Sequence, residues 1–512
     1  MTALDTRPIA GPDHSVDADP ASRRRWWILA VLGIAQLMVV LDGTIVNIAL
    51  PHAQASLGFS DSDRQWIITA YSLAFGSLLL LGGRLADLFG RKRLFLTGVI
   101  GFAAASALGG AATNFGMLVV ARAIQGGFGA LLAPAALSLV TTTFTHPKER
   151  GKAFGIYGGI AGAGGSIGLL LGGALTEYLD WRWTMYVNVF FAIVAAVGAI
   201  VLLAPHTAGE QRQRLDRIGA VLASASMFSI VYGFSHAASA GWGDSVTVGF
   251  LVVGVALLIA FVAAELRVAH PLLPMRIVTD RNRGGAYAAM FLASVGMFGV
   301  FLFLTYYLET TLGYSPVKTG LAFLPMMAAV MLSSSIANTV LLARYSPRVL
   351  VPTGLVISAV GMALLTRIDL HSSYASTILP SLLLFALGLG LVFAPSFSLG
   401  TLGVAAHDAG VASATVNVSQ QIGGSIGTAL LNTIATSAAT GYVASHAVGV
   451  PSATVLASAA VHSYVVAFWV GAAVFLVTAL IVGPLLRPGL ANLAANEQFD
   501  ELDAPVPVAM HV

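Results

Sequence analysis

Cysteine is absent from the 512 residues, which excludes disulfides, thiol catalysis and thiolate metal sites. Charge is scarce as well: Asp, Glu, Lys and Arg make up 10% of the chain, against roughly 25% in an average soluble domain. With so few charges, water cannot be the main solvent. The first 22 residues hold no apolar core, so they do not read as a cleaved signal, and the run after Arg23, Arg24 and Arg25 reads as a retained first span. Lys is rare beside Arg while Ala is abundant, a bias of GC-rich bacterial genomes.

Hydrophobic residues make up 57% of the chain, and a hydrocarbon core of about 30 Å is crossed by roughly 20 apolar residues. Fourteen runs meet that length: 27–50, 65–85, 94–112, 115–143, 151–175, 183–204, 215–237, 246–266, 284–310, 316–341, 347–366, 374–400, 409–437 and 462–486. The 55 glycines suit helices packing closely in lipid.

The pentapeptide GGSIG occurs at Gly164–Gly168 and again at Gly423–Gly427, an offset of 259 that also aligns Gly151 with Gly410. An offset of 261 aligns Gly127, Gly129, Ala133 and Pro134 with Gly388, Gly390, Ala394 and Pro395. Parallel repeats of this kind build many secondary transporters, with the substrate path between the halves. The expected division is a tail at 1–26, a six-helix bundle at 27–204, two inserted helices with linkers at 205–283, a second six-helix bundle at 284–486 and a tail at 487–512.

With both termini in the cytoplasm, only Arg64, Arg182, Lys318 and Arg367 fall on the outer side. Every other Lys and Arg except Arg122 lies inside, the skew of the positive-inside rule. The net charge of +3 is thus spent on topology, and no basic patch remains for nucleic acid.

Charge inside a span is expensive and asks for a partner or a function. Asp42 lies about 22 Å along the first span and Arg122 about 10 Å below the outer surface in the fourth, at 1.5 Å per residue, so the two share a depth. Burial in hydrocarbon favours a neutral acid, a nearby guanidinium favours a carboxylate, and a substrate entering or leaving can tip that balance. A proton-coupled switch and a static pair joining two helices are both compatible with the pattern. Asn47, Gln125, Asn417, Gln420 and Gln421 are neutral hydrogen-bonding groups within spans, either interhelical contacts or substrate contacts. The ninth span carries Phe291, Phe298, Phe301, Phe303, Tyr306 and Tyr307, expected mainly at lipid with a minority lining a pocket, and ends at Glu309, a further candidate for coupling.

Enzymatic motifs fail on context. GGSIG fits GxSxG formally, but a nucleophile elbow needs a strand-to-helix turn. Gly151–Lys152 has no glycine five residues upstream, so no Walker A loop exists. The eleven His are scattered, and no metal site is expected.

GRLADLFGRKR, Gly83 to Arg93, resembles the signature loop of the major facilitator superfamily, with Gly83 and Gly90 as turn formers, Asp87 offering a carboxylate to neighbouring helix ends, and Arg91 at the cytoplasmic face. A degenerate copy without the Asp follows at Arg344–Arg348. LDGTIVNIALP (Leu41–Pro51), RAIQGGFGA (Arg122–Ala130), Leu215, Asp216 and Gly219, and the stretch from Gly410 to Gly427 resemble the fourteen-span drug:proton antiporter branch. The likeness runs over nearly the whole chain.

That resemblance implies an all-α major facilitator fold of two six-helix bundles plus two inserted helices. It also implies proton-coupled efflux of small amphipathic drug- or antibiotic-like molecules by alternating access, and no enzyme activity. Asp42 would carry the proton, Arg122 would modulate it, and Asp87 with Gly83, Gly90 and Arg91 would stabilise a cytoplasmic gate. Gly164, Gly168, Gly172 and Gly173 would form the antiporter motif, and Asn47, Gln125, Tyr306, Asn417 and Gln421 a substrate cavity. In the antiporter motif Leu169 stands where the branch has Pro, so any bend there must come from glycine. An importer or facilitator of the same fold, or a non-transporting sensor, are the other readings. No cofactor beyond the proton is expected, nor nucleic acid; the partners are a small-molecule substrate and the lipid bilayer, and the working unit is a monomer in a bacterial plasma membrane.

Overall fold

The computed structural model describes residues 20–59, 64–204, 215–269, 271–447 and 450–489. The expected linker at 205–214, most of the N-terminal tail and residues 490–512 lie outside the described residues.

Among the described residues there are fourteen long helices: α1 Pro20–Leu57, α2 Arg64–Phe89, α3 Arg91–Gly110, α4 Phe115–Thr143, α5 Pro147–Tyr178, α6 Trp183–Leu202, α7 Arg217–Ala240, α8 Ser245–Glu265, α9 Arg281–Tyr306, α10 Pro316–Ile336, α11 Pro347–Leu365, α12 Leu379–Gly400, α13 Ala409–His446 and α14 Ala453–Leu485. Short π-helical turns extend α9 and α10 and precede α12. Among the described residues twelve helices are long and apolar enough to cross a membrane. The other two long helices, α5 and α13, are 32 and 38 residues long, and the Ser, Thr, Asn and Gln of α13 lower its hydropathy.

Local sequence sets the helix ends. Asn114, Asp216, Asp244, Asp280, Ser315, Ser346 and Ser452 each accept a hydrogen bond from a first-turn N–H. Those donors have no partner within the helix. Pro316 and Pro347 follow two of these caps at N1, where a missing N–H is harmless. Gly90 turns the chain between α2 and α3 at φ 93°, a conformation that only glycine adopts readily. Gly83, expected to form a turn with it, is instead inside α2.

The sequence repeat is visible as packing. In α4, Gly126 and Gly129 face Tyr71 and Phe75 of α2; in α12, Gly390 faces Val330, Ser333 and Ser334 of α10. Between the two repeats the pairing crosses over. A Cβ on Gly410 of α13 would stand 2.3 Å from the Gly83 carbonyl of α2, and one on Gly151 of α5 would stand 2.6 Å from the Asn338 carbonyl beyond α10. The two glycines aligned by the 259-residue offset therefore do the same job, letting a helix from one repeat meet the other's backbone.

The hairpin α7–α8 packs through α7 on both α2 and α13, whereas α8 leans chiefly on α7. Val248, Val252, Val253, Val255 and Ile259 of α8 are exposed, as suits a helix whose outer face is solvated by lipid.

The ninth-span aromatics depart from expectation. Phe303 and Tyr307 are buried in the core instead of facing lipid, and Tyr307 donates to the Asp369 carbonyl at 2.6 Å. Phe301 stacks on Phe323 of α10 and lies close to Gly165 of α5, at the seam between the repeats.

Candidate functional site

Asp42 sits in the middle of α1, fully buried. Its Oδ2 accepts from Arg122 Nη1 at 2.5 Å; its Oδ1 accepts from Gln125 Nε2 at 2.7 Å and from Asn188 Nδ2 at 2.8 Å. Arg122 and Gln125 are three apart on one face of α4, and Arg122 Nη1 also donates to Gln125 Oε1 at 2.6 Å. Gln125 donates further to Ser106 Oγ of α3 at 2.7 Å. The Arg122 guanidinium lies 4.4 Å from the centre of the Tyr71 ring, and its Nε donates to the Ile67 carbonyl at 3.4 Å. A desolvated ion pair survives only when its remaining donors and acceptors are filled. Here α2, α3, α4 and α6 all contribute to filling them.

Glycine makes room for α1 beside this cluster. Gly164, Gly168 and Gly172 of α5 recur every fourth residue and face Val40, the Leu41–Thr44 stretch and Ile45. A Cβ on Gly168 would lie 2.0 Å from Thr44 Oγ1, which donates to the Leu41 carbonyl at 3.0 Å. Gly173 is buried in the same helix. α5 is helical throughout Pro147–Tyr178, across Leu169, whose side chain lies outside the described residues.

At the α2–α3 turn end of the bundles a second polar cluster joins the repeats. Asp87 Oδ1 accepts from Gly410 N at 3.0 Å and Oδ2 from Val411 N at 3.2 Å, which caps α13 with a carboxylate from α2. Arg91 Nη2 lies 3.5 Å from the same carboxylate. Asp408, buried just before α13, pairs with Arg84 of α2 at 3.6 Å and with Arg276 of the segment preceding α9. Arg150 of α5 donates to Thr401 Oγ1 beyond α12 at 3.0 Å.

The expected cavity residues do not converge. Gln125 belongs to the ion-pair cluster. Asn417 is buried and donates to the Ser413 carbonyl of its own helix at 2.9 Å. Tyr306 is exposed near the outer end of α9. Gln421 lies near Gly76 of α2, between the repeats, and the Asn47 side chain is outside the described residues. Asn188, Ser106, Tyr71 and Asp408 were not anticipated. Asn188 carries a signal of its own, a lone amide in the second turn of the apolar run Trp183–Leu202.

The profile of the Major Facilitator Superfamily matches residues 32–428. The chain is 50% identical over 479 residues to the puromycin resistance protein of Streptomyces alboniger, covering 93% of this chain and 94% of that one. It is 39% identical to the cephamycin export protein of Amycolatopsis lactamdurans, covering 90% and 91%. Among solved structures it resembles the human organic anion transporter MFSD10, with a TM-score of 0.58 and 16% identity over 91% of this chain and 100% of that one. On these matches the chain belongs to the major facilitator superfamily, a multi-pass membrane transporter family, and is not an enzyme.

Proposed function

We propose that this protein exports antibiotic-like amphipathic molecules in exchange for protons, by alternating access between two six-helix bundles, 27–204 and 284–486. The carrying observation is the buried Asp42 carboxylate, held by one cation and two amides in the interior of an exporter-like chain. One ionisable group at such a site, able to trade its cation for a proton, is the minimum that coupling requires. The substrate class rests on the relatives, named for puromycin resistance and cephamycin export.

In this reading all fourteen long helices cross a bacterial plasma membrane, both termini are cytoplasmic, residues 205–283 join the bundles, and the chain works as a monomer. The cytoplasmic contacts of Asp87 and Asp408 hold that side shut while the proton site exchanges with the exterior. A proton descending ~150 mV yields about 3.5 kcal/mol. That supports a substrate gradient of roughly 300-fold.

The test is transport by purified protein in liposomes under an imposed pH difference. Asp42→Asn should fold normally, reach the membrane and lose proton-driven efflux. Full efflux by that variant, or transport by the native chain indifferent to the pH difference, overturns the proposal.

A further inference from the structure

Asn188 Oδ1 is buried in α6 without a hydrogen-bond partner, although Nδ2 of the same amide donates to Asp42. Buried carbonyl oxygens rarely go unpaired, and one beside a reactive group calls for an explanation.

We propose that the Asn188 amide is a turnover partner for the proton on Asp42: it donates Nδ2–H to the carboxylate and, once Asp42 is protonated, rotates so that Oδ1 accepts the new O–H. The inference rests on Asp42 being the coupling acid and adds a residue to that site.

The hydrogen-bond inventory singles out this amide. Among the described residues, the groups facing Asp42 can each be named. From α4, Arg122 has donors only, and Gln125 is committed on both sides, its Oε1 to Arg122 and its Nε2 to Asp42 and Ser106. From α2, Tyr71 presents its ring face to Arg122. From α5 the facing positions Gly164, Gly168 and Gly172 have no side chain, and within α1 the Thr44 hydroxyl is committed to the Leu41 carbonyl. From α6 comes Asn188 alone.

A proton arriving on Asp42 Oδ1 turns an acceptor into a donor and leaves the Nδ2–H facing an O–H. Rotating the amide about Cβ–Cγ breaks the N–H···O bond and forms O–H···Oδ1 in its place. Each state leaves one end of the amide unpartnered, so the exchange conserves the number of hydrogen bonds. Without the amide, the carboxylate keeps Arg122 and Gln125 but loses its third donor in one state, and the acid lacks an acceptor in the other.

The experiment is infrared difference spectroscopy of the full chain in lipid, stepping between alkaline and acid pH, with asparagine labelled at its side-chain carbonyl. The native protein should show a carboxylic acid band that Asp42→Asn removes, and in step with it a shifted amide carbonyl band that Asn188→Leu removes. In transport, Asn188→Leu should lower proton-driven efflux by about tenfold, the effect of one buried hydrogen bond lost from each state. Asn188→Thr, whose hydroxyl donates and accepts, should recover part of it. An amide carbonyl that stays silent while the carboxylic acid band rises overturns the role of Asn188 alone. Absence of any Asp42 band overturns the coupling role of Asp42, and the role of Asn188 with it.

Discussion

The Asp87 carboxylate of α2 caps α13, taking the N–H groups of Gly410 and Val411 at 3.0 and 3.2 Å across the seam between the two sequence repeats. Those donors have no intrahelical partner, and a negative charge there also meets the positive end of the helix dipole. A contact of this kind holds these ends of α2 and α13 together with little side-chain motion, because one partner is backbone.

Replacing Asp87 with Asn removes the charge and one acceptor, a loss of about 1–2 kcal/mol by analogy with other caps. The joined ends of α2 and α13 should then part more often. Because the chain has no cysteine, spin labels on Phe89→Cys and Tyr345→Cys, both at exposed positions, report the separation without background. Asp87→Asn should lengthen the mean distance; an identical distance distribution counts against a gating role.

Gly168→Ala should push α5 away from α1 next to the buried Asp42–Arg122 pair, since the added methyl lands on Thr44 Oγ1. Overpacking of this order costs roughly 1–3 kcal/mol. We expect a lower unfolding temperature in detergent and impaired efflux, both partly restored by Gly168→Ala with Thr44→Ala. No change in either property would show that the contact yields freely.

Removing one member of the buried pair is worse than removing both. Arg122→Ala leaves Asp42 without its cation and should destabilise the fold by about 3–5 kcal/mol. Combining Asp42→Asn with Arg122→Gln removes both charges and should regain most of that stability in thermal melts while efflux stays uncoupled. Arg122→Lys keeps the charge but cannot donate at once to the Asp42–Gln125 side and to the Ile67 carbonyl, so it should fold and transport poorly. If Arg122→Lys transports at the native rate, the guanidinium geometry is dispensable.

Gly219→Ala tests the root of the inserted hairpin. A Cβ there would stand 2.4 Å from both Asp216 Oδ2 and Glu265 Oε1, whereas Gly249 in α8 has nothing within 4 Å. The first substitution should lower the unfolding temperature; Gly249→Ala should be neutral or raise it, by up to about 1 kcal/mol of helix propensity. Equal behaviour of the two would remove any packing role for Gly219.

Much of this fold was legible because lipid makes polarity conspicuous. Asp42 and Arg122 stand out as charges in apolar runs, and equal depth placed them together before any coordinates. The duplicated GGSIG and the Gly151–Gly410 offset mark the parallel repeat, whereas the crossed packing of α5 on α10 and α13 on α2 is visible only in three dimensions. What stayed hidden were neutral groups whose meaning is purely spatial. Asn188 is 146 residues from Asp42, and nothing local ties α6 to α1. Gly83 resembled a turn former because glycine serves turns and close helix contacts alike, and only the facing Gly410 carbonyl tells them apart. Asn417 looked available to a substrate because one sequence does not show that its amide folds back on Ser413.

The hairpin α7–α8 is fastened to both sides of the seam: Ser235 and Thr69 of α2 share a hydrogen bond at 2.9 Å, and Trp242 Nε1 donates to Thr433 Oγ1 of α13 at 2.9 Å. An excursion that separates α2 from α13 there cannot keep both attachments, and each is worth on the order of 1 kcal/mol. The extra pair of helices therefore ties α2 to α13 through a serine and a tryptophan, so that any parting of the two there must break one of these attachments.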